Sequence, residues 1–572
     1  MPLTQIDARQ KLDEIKHMLF ARSRPLPPPL PPYVLFITDG SLDKRSSVRC
    51  FSGECSEKLW ESVICQLAKR VVQKNLSLSN LESAEKFSCG IKFEIVTECH
   101  SMPLERLKHA ISATKRNYFR FGVSFDAAFE RAFTEAEINA NAMFYLGPGS
   151  VNGGWNAKNI IHYMNDKYKN CEFILPAECD LVHTFVTSGA FLNDDNQIYS
   201  LHSKGVKAGR RHVDSLTDGE SRQAIISQVA QSATEYLCNQ INENGYMRYG
   251  YFPVFDRPIP GRNSLRQACA TLALLHSYQE YRRPRYLKSA RHSITYLVNS
   301  QVKSFEINGK ITSFLIDSNE EIKLGGCGLL LLILVRHKEV SGSTIYDDLM
   351  LRLAWGIIEG FPQGPDGIPS HVLCSKSLAV KEQFRTVYYE GEAMYGLASF
   401  YQHFKYQSVL SFLENTFDAL IKAERWRSRD HWLAYACDKM YEITSDTKYV
   451  ELAAKNVKGY LSFICHRQTA FPTLLELCSA TDRLAHRYGA DLFYKKIDST
   501  PEGFKFATST RAKRLLDAYC WPEVAMNFKS PAKILGSFFI RHQAFRVRVD
   551  DVGHFILGLL SYEKTMGKTG NR

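Results

Sequence analysis

A chain of 572 residues is too long for one compact core, and ordinary domain sizes divide it into roughly two to four domains. With 45% hydrophobic and 23% charged residues it is neither a disordered nor a fibrous polypeptide, and its most apolar run, residues 327–335, falls well short of the roughly 18 residues that span a bilayer. The formal charge of +12 is spread out, with no long Lys/Arg block and no zinc-finger spacing, which excludes a nucleic-acid track and favours a discrete acidic ligand.

The opening residues form an amphipathic helix over 7–20 with acids inside it, unlike a signal peptide. The proline run 25–32 must be extended, because each ring fixes φ and removes a donor. It reads as a spacer, or else as a docking peptide; residues 1–32 are thus taken as helix and linker. Residues 33–205 mix signals and predict a small α+β domain. Strands are expected at 33–38, 48–52, 91–97, 173–175, 183–187 and 198–202, and helices at 60–74, 104–115 and 125–145. Within it Lys115, Arg116, Asn117, Arg120, Glu137, Asn139 and Asn141 either converge on a ligand or belong to a helix end packed on the sheet. A protein partner, if there is one, would dock on this domain. Residues 201–220 read as a charged linker.

From there the texture is helical almost to the end. Apolar spacing places helices at 221–241, 263–280, 284–300, 321–338, 344–360, 389–404, 407–422, 430–442, 447–463, 473–488, 508–518 and 550–563. Amphipathic helices alternate with helices apolar nearly all round, such as GGCGLLLLILV and EGEAMYGLASFY. Connections from an all-apolar helix onward are short, and those leading into one are long and polar. The fold class expected is mainly α: an (α/α)6 toroid over 206–565, preceded by the α+β domain.

In such a ring the stretches before the inner helices share one mouth: 255–267, 318–326, 380–393, 425–435, 466–476 and 541–554. Arginine is the prominent charge there, and Arg266, Arg385, Arg427, Arg467, Arg541, Arg546 and Arg548 suit an anionic sugar or glycan, with Trp432 as a stacking platform. About half of these arginines should instead pair with nearby acids. Tyr388, Tyr389, Glu390 and Glu392 open an apolar helix, where desolvation suits a carboxylate for acid–base work; on a helix only one of Glu390 and Glu392 can face the cavity. Asp430 suits a helix cap beside His431, and Asp550 stands one turn from His554. Glu476, buried in its helix, needs a partner such as Arg467 or Arg541. No metal and no cofactor are expected. The 15 cysteines are scattered singly, which fits small core side chains in a reducing cytoplasm.

The helix-pair rhythm, with the phrases YYEGEAMYGLASFYQHF and IKLGGCGLLLLILVRHKEVSG, resembles the six-hairpin superfamily over about residues 220–560. That superfamily includes N-acylglucosamine 2-epimerases, D-glucuronyl C5-epimerase C-terminal domains and many (α/α)6 glycoside hydrolases and lyases. The resemblance implies proton abstraction beside a sugar carboxylate by Tyr388, Tyr389, Glu390 or Glu392. For the paired histidines of the 2-epimerases it offers His431 and His554 as candidates. The expected activity is therefore an epimerase of polysaccharide metabolism acting on an acidic sugar. Its rivals are a glycoside hydrolase using Glu392 and Asp550, and a non-catalytic glycan-binding component.

Overall fold

The computed structural model describes residues 5–78, 89–169, 173–213 and 219–567. The N-terminal part is built on a seven-stranded sheet with strands β1 (Tyr33–Asp39), β2 (Ser47–Gly53), β3 (Ile91–Pro103), β4 (Gly122–Ser124), β5 (Ala132–Phe133), β6 (Leu181–Leu192) and β7 (Ile198–Leu201). The order is β2-β1-β3-β6-β4-β5, with β7 also on β6, and every pairing is antiparallel. Alternation along β1 explains its place in the middle of two layers. Leu35 and Ile37 meet Ile15 and Leu19 of the first helix, Gln5–Phe20, and Trp60 and Val63 of the helix Ser56–Leu78. Val34 and Phe36 face the other way, onto Leu26 and Leu30. The proline run is therefore fastened to the sheet by its two leucines and is not a free spacer.

Two further expectations fail here. Residues 125–145 are not one helix: Phe129 and Ala142 adopt positive φ, and between them lie β5 and the short helix Glu135–Ala140, started by a capping box of Thr134 and Glu137. Aromatics at near-helical spacing imitated a helix there. Residues 173–175 are irregular, with Phe173 buried and Ile174 exposed.

The C-terminal part is a closed ring. Six inner helices, Ser264–Tyr281, Leu324–Ser341, Tyr389–Phe404, His431–Thr444, Pro472–Tyr488 and Val549–Gly567, each touch the next, and the last touches the first. Six outer helices, Gly219–Gln240, Pro284–Gln301, Asp347–Gly360, Gln407–Lys422, Thr447–Val457 and Pro501–Leu516, surround them. The sequence explains the sorting. In Leu324–Ser341 apolar residues cover every face and residues 324–335 are all buried, whereas Gln407–Lys422 buries a single stripe, Val409, Leu413, Thr416, Phe417 and Leu420. Neighbouring inner helices approach closely through glycine: a Cβ on Gly328 would lie 2.5 Å from the Ala393 backbone. This is an (α/α)6 toroid.

The predicted helix over 447–463 stops at Val457, and Gly459 at φ +72° separates it from a second short helix, Leu461–His466. Thr500 caps the sixth outer helix, which begins at Pro501, earlier than its apolar pattern indicated. Small sheets add to the long connections, such as the hairpin 302–315 and the set 250–252, 257–258 and 547–548. No helix among the described residues is long and apolar enough to cross a membrane.

The segment expected to be a linker instead fastens the two parts together. Arg211 makes a bidentate pair with buried Glu523 at 2.9 and 2.8 Å while lying over Tyr199 and Trp521, and Arg210 pairs with Asp517 at 3.1 Å. Met526 sits among Cys89, Phe191 and Leu201 of the sheet region. Both acids and Met526 belong to the connection 517–548, which leads into the last inner helix.

Candidate active site

At the N-terminal ends of the inner helices lies a cavity of about 490 Å³. The stretches ahead of five of the six inner helices reach it. The long connections place polar residues there because a helix start offers unpaired N–H groups that polar side chains satisfy. Asn263 caps the first inner helix through Arg266 N, and Asp430 caps the fourth through Trp432 N and Leu433 N at 2.9 and 3.1 Å. Asp430 is thereby committed to the cap, and it presents His431 and Trp432 to the cavity.

On the floor stand two imidazoles, His431 and His554, with ring centroids 5.1 Å apart. Trp432 lies beside both, and Tyr388 lies edge-on to His431. His554 Nδ1 is 2.7 Å from Glu476 Oε1, and Tyr435 donates its hydroxyl to Glu476 Oε2 at 3.2 Å. Glu476 is fully buried, and its partners are this histidine and tyrosine rather than Arg467 or Arg541. His554 Nε2 is 3.4 Å from Cys269 Sγ.

The two rings titrate in opposite directions. Burial holds His431 well below the usual imidazole value, and the His554 cation pushes the same way. For His554 burial also disfavours the cation, but Cys269 and Glu476 outweigh it and hold the ring well above the usual value. The Cys269 thiol is itself pushed up by burial, against the opposing pull of His554, and Glu476 is the acid within hydrogen-bond distance of the His554 ring. The surroundings of the floor thus favour the neutral ring at His431 and the cation at His554.

Glu392 faces the same space. Burial pushes its carboxyl up to about 8, against the opposing pull of His554 and Arg266. Its Oε2 is buried without a hydrogen-bond partner, and it occupies room left by Gly325, where a Cβ would sit 1.8 Å from that oxygen. Glu390, one residue back from Gly391, points away to His371 Nε2 and Arg425 Nε, each at 3.2 Å.

The rim carries guanidinium groups interleaved with carboxylates. Arg548 spans Asp550 and Asp551, Arg266 donates to Asp550, and Arg546 donates to Asp551 at 2.8 Å. For Asp550 burial alone would raise the value, and Arg266 and Arg548 together bring it down instead. Arg385 lies between Glu321 and Glu382. Of the other candidates, Tyr388 and Tyr389 line the cavity, while three arginines do not. Arg427 is on the surface against Glu424, Arg467 is bonded to Thr469 beside the opening, and Arg541 is bonded to Asn117 of the sheet region. Phe471, Thr473 and Gln543 also line the cavity. Their position at or just ahead of the starts of inner helices was the only signal in the sequence that could have marked them.

Among the described residues His431, Glu476 and His554 form the group able to hold a metal ion, with donor atoms all within 4.8 Å of one another. Within this group His554 Nδ1 and Glu476 Oε1 are hydrogen-bonded to each other at 2.7 Å.

No protein-family model matches this chain, and no curated protein does. Solved structures do match. An α-1,6-mannanase from Salegentibacter is 12% identical, covering 59% of this chain and 99% of its own, with a TM-score of 0.43. A cellobiose 2-epimerase from Bacillus thermoamylovorans is 10% identical over 60% of this chain and 100% of its own, at 0.45. An unsaturated glucuronyl hydrolase specific for heparin is 12% identical over 60% and 98%, at 0.42. The class of this chain, an (α/α)6 toroid joined to an α+β sheet region, is established by its own closed ring of helices.

Proposed function

We propose that the toroid catalyses proton transfer at a carbon beside a sugar carbonyl, as an epimerase or isomerase acting on an acidic sugar. The observation that carries this reading is the pair His431 and His554, adjacent in one cavity and held in opposite protonation states. His431, neutral, takes the proton from carbon. His554, cationic, gives its proton to the carbonyl oxygen. In the second half the now neutral His554 takes the proton of the neighbouring hydroxyl while His431 delivers its proton to the former carbonyl carbon, which gives the isomer. Return of the proton to the opposite face of the original carbon instead gives the epimer. Glu392, protonated at neutral pH, donates a hydrogen bond to a sugar oxygen, and Trp432 offers an apolar face. Four arginines, Arg266, Arg385, Arg546 and Arg548, line the cavity with Asp550 and Asp551, which supports an anion.

Hydrolysis by Glu392 as acid and Asp550 as base is the second reading, favoured by the separation of their protonation. It is the weaker one, because Asp550 is already held by two arginines. Incubation with aldoses, ketoses and uronic acids in D2O separates the two. Proton transfer gives deuterium at carbon without new reducing ends, and His431→Asn abolishes it. New reducing ends from an oligosaccharide with no deuterium uptake would replace the first reading by the second.

A further inference from the structure

Beside the cavity opening lies a group of cations that the proton-transfer chemistry does not use. Asn117, at φ +63°, turns the sheet-region chain back on itself. Its side-chain amide donates to Arg541 O at 2.7 Å, and Arg541 Nη1 donates to Asn117 O at 3.1 Å. These two bonds set Lys115 and Arg116 against the turn 541–543, whose Gln543 lines the cavity. From the facing side Arg467 lies over Phe471, 4.8 Å from the ring centroid, and Phe471 lines the cavity as well. Arg546 completes the group from the cavity wall.

Three of these cations lack matching acids, whereas Arg546 is paired with Asp551 at 2.8 Å. Among the described residues no carboxylate lies within ion-pair distance of Lys115, Arg116 or Arg467. Arg116 is held by the carbonyls of Gly147, Pro148 and Ser150, all through Nη1, which leaves the rest of the fork available. Arg467 donates to the Thr469 hydroxyl at 2.7 Å. His542, half-buried in their midst, is driven down to about 4 by burial and by Lys115, Arg116, Arg467 and Arg546, and its Nδ1 has no hydrogen-bond partner. Lys115 is lowered by partial burial and by Arg467 and Arg116. Crowded like charges without counter-charges are a cost to the folded chain unless an anion joins them.

We propose that Lys115 and Arg116 of the sheet region, with Arg467, His542 and Arg546 of the toroid rim, form an oxyanion subsite for a phosphate or carboxylate substituent of the substrate. The sheet region is then part of the substrate site and selects acidic sugars, with the guanidinium forks matching the oxyanion. This rests on the reading of the cavity as a sugar site.

Calorimetric titration of the full chain with inorganic phosphate at fixed ionic strength tests it. One saturable site is expected. The double variant Lys115→Ala/Arg467→Ala should weaken it by roughly tenfold or more, as for loss of charge-assisted bonds, and His431→Asn should leave it unchanged. Lys115→Gln, at an exposed position, gives a few-fold loss even if the double variant misfolds. Displacement of phosphate by D-glucose 6-phosphate assigns a phosphate ester, and displacement by D-glucuronate assigns a carboxylate. Absence of saturable binding, affinity in both Lys115→Gln and the double variant equal to that of the unaltered chain, or displacement by neither sugar overturns the proposal. Absence of deuterium uptake with every sugar, with phosphate binding intact, removes the catalytic reading and leaves the subsite.

Discussion

Replacing Glu476 by Gln isolates the group that holds the His554 proton. The amide is nearly isosteric, so Tyr435 keeps an oxygen acceptor while the charge beside His554 Nδ1 disappears. A hydrogen bond to a charged group contributes roughly 1.5–3 kcal/mol, and at 1.36 kcal/mol per pKa unit its loss lowers His554 by roughly one to two units. The folded value of His554 lies above the unfolded one. Its stabilisation is therefore fully present below the unfolded value of about 6.5 and is lost as pH rises through the folded value. Glu476→Gln should thus destabilise the chain most on the acid side, with the difference from wild type shrinking as pH rises. The assay is a pH titration of the imidazole carbon resonances by NMR, with His554→Gln used to assign the signal, alongside urea unfolding at several pH values. A His554 value unchanged to within a few tenths would refute the assignment of Glu476 as its holder.

Rate against pH should be bell-shaped with a broad plateau, its acid limb well below 6.5 from His431 and its alkaline limb well above from His554; Glu476→Gln should draw the alkaline limb inward by roughly one to two units. Arg211→Met leaves Glu523 buried without its partner and should cost about 3–5 kcal/mol in urea unfolding, with little loss if Glu523 is replaced by Leu at the same time. Gly328→Ala drives a methyl into the Ala393 backbone and should cost about 1–3 kcal/mol, read as a lower unfolding midpoint. Asp430→Ala removes the cap that presents His431 and should cost about 1 kcal/mol of stability together with catalytic rate.

The ring was legible because burial leaves a periodic trace. A helix enclosed on all sides, such as Leu324–Ser341, has no polar face to write, and one with a single buried stripe, such as Gln407–Lys422, does. The convergence of loops followed from the topology alone. Pairings across the ring did not follow, since Glu476 and His554 lie 78 positions apart and only helix packing decides that they meet. The same holds for the rim arginines, about half of which were expected to pair with nearby acids that only the packing assigns. The junction was misread at residues 201–220 because Arg210 and Arg211 look solvated until Asp517 and Glu523, far along the chain, come into place.

The closure of the ring also orders its assembly. Cys269 and His554, neighbours at the floor, are separated by 285 positions. A chain that emerges from its N-terminus must hold five inner helices, with their apolar flanks, while the sixth is still being made. Until Val549–Gly567 inserts, the first and fifth helices each present an uncovered side, and His431 has neither its neighbouring ring nor a closed cavity. The cavity is complete only with Val549–Gly567 in place, and the sheet region, joined to the segment 517–548, anchors the connection that leads into that final helix.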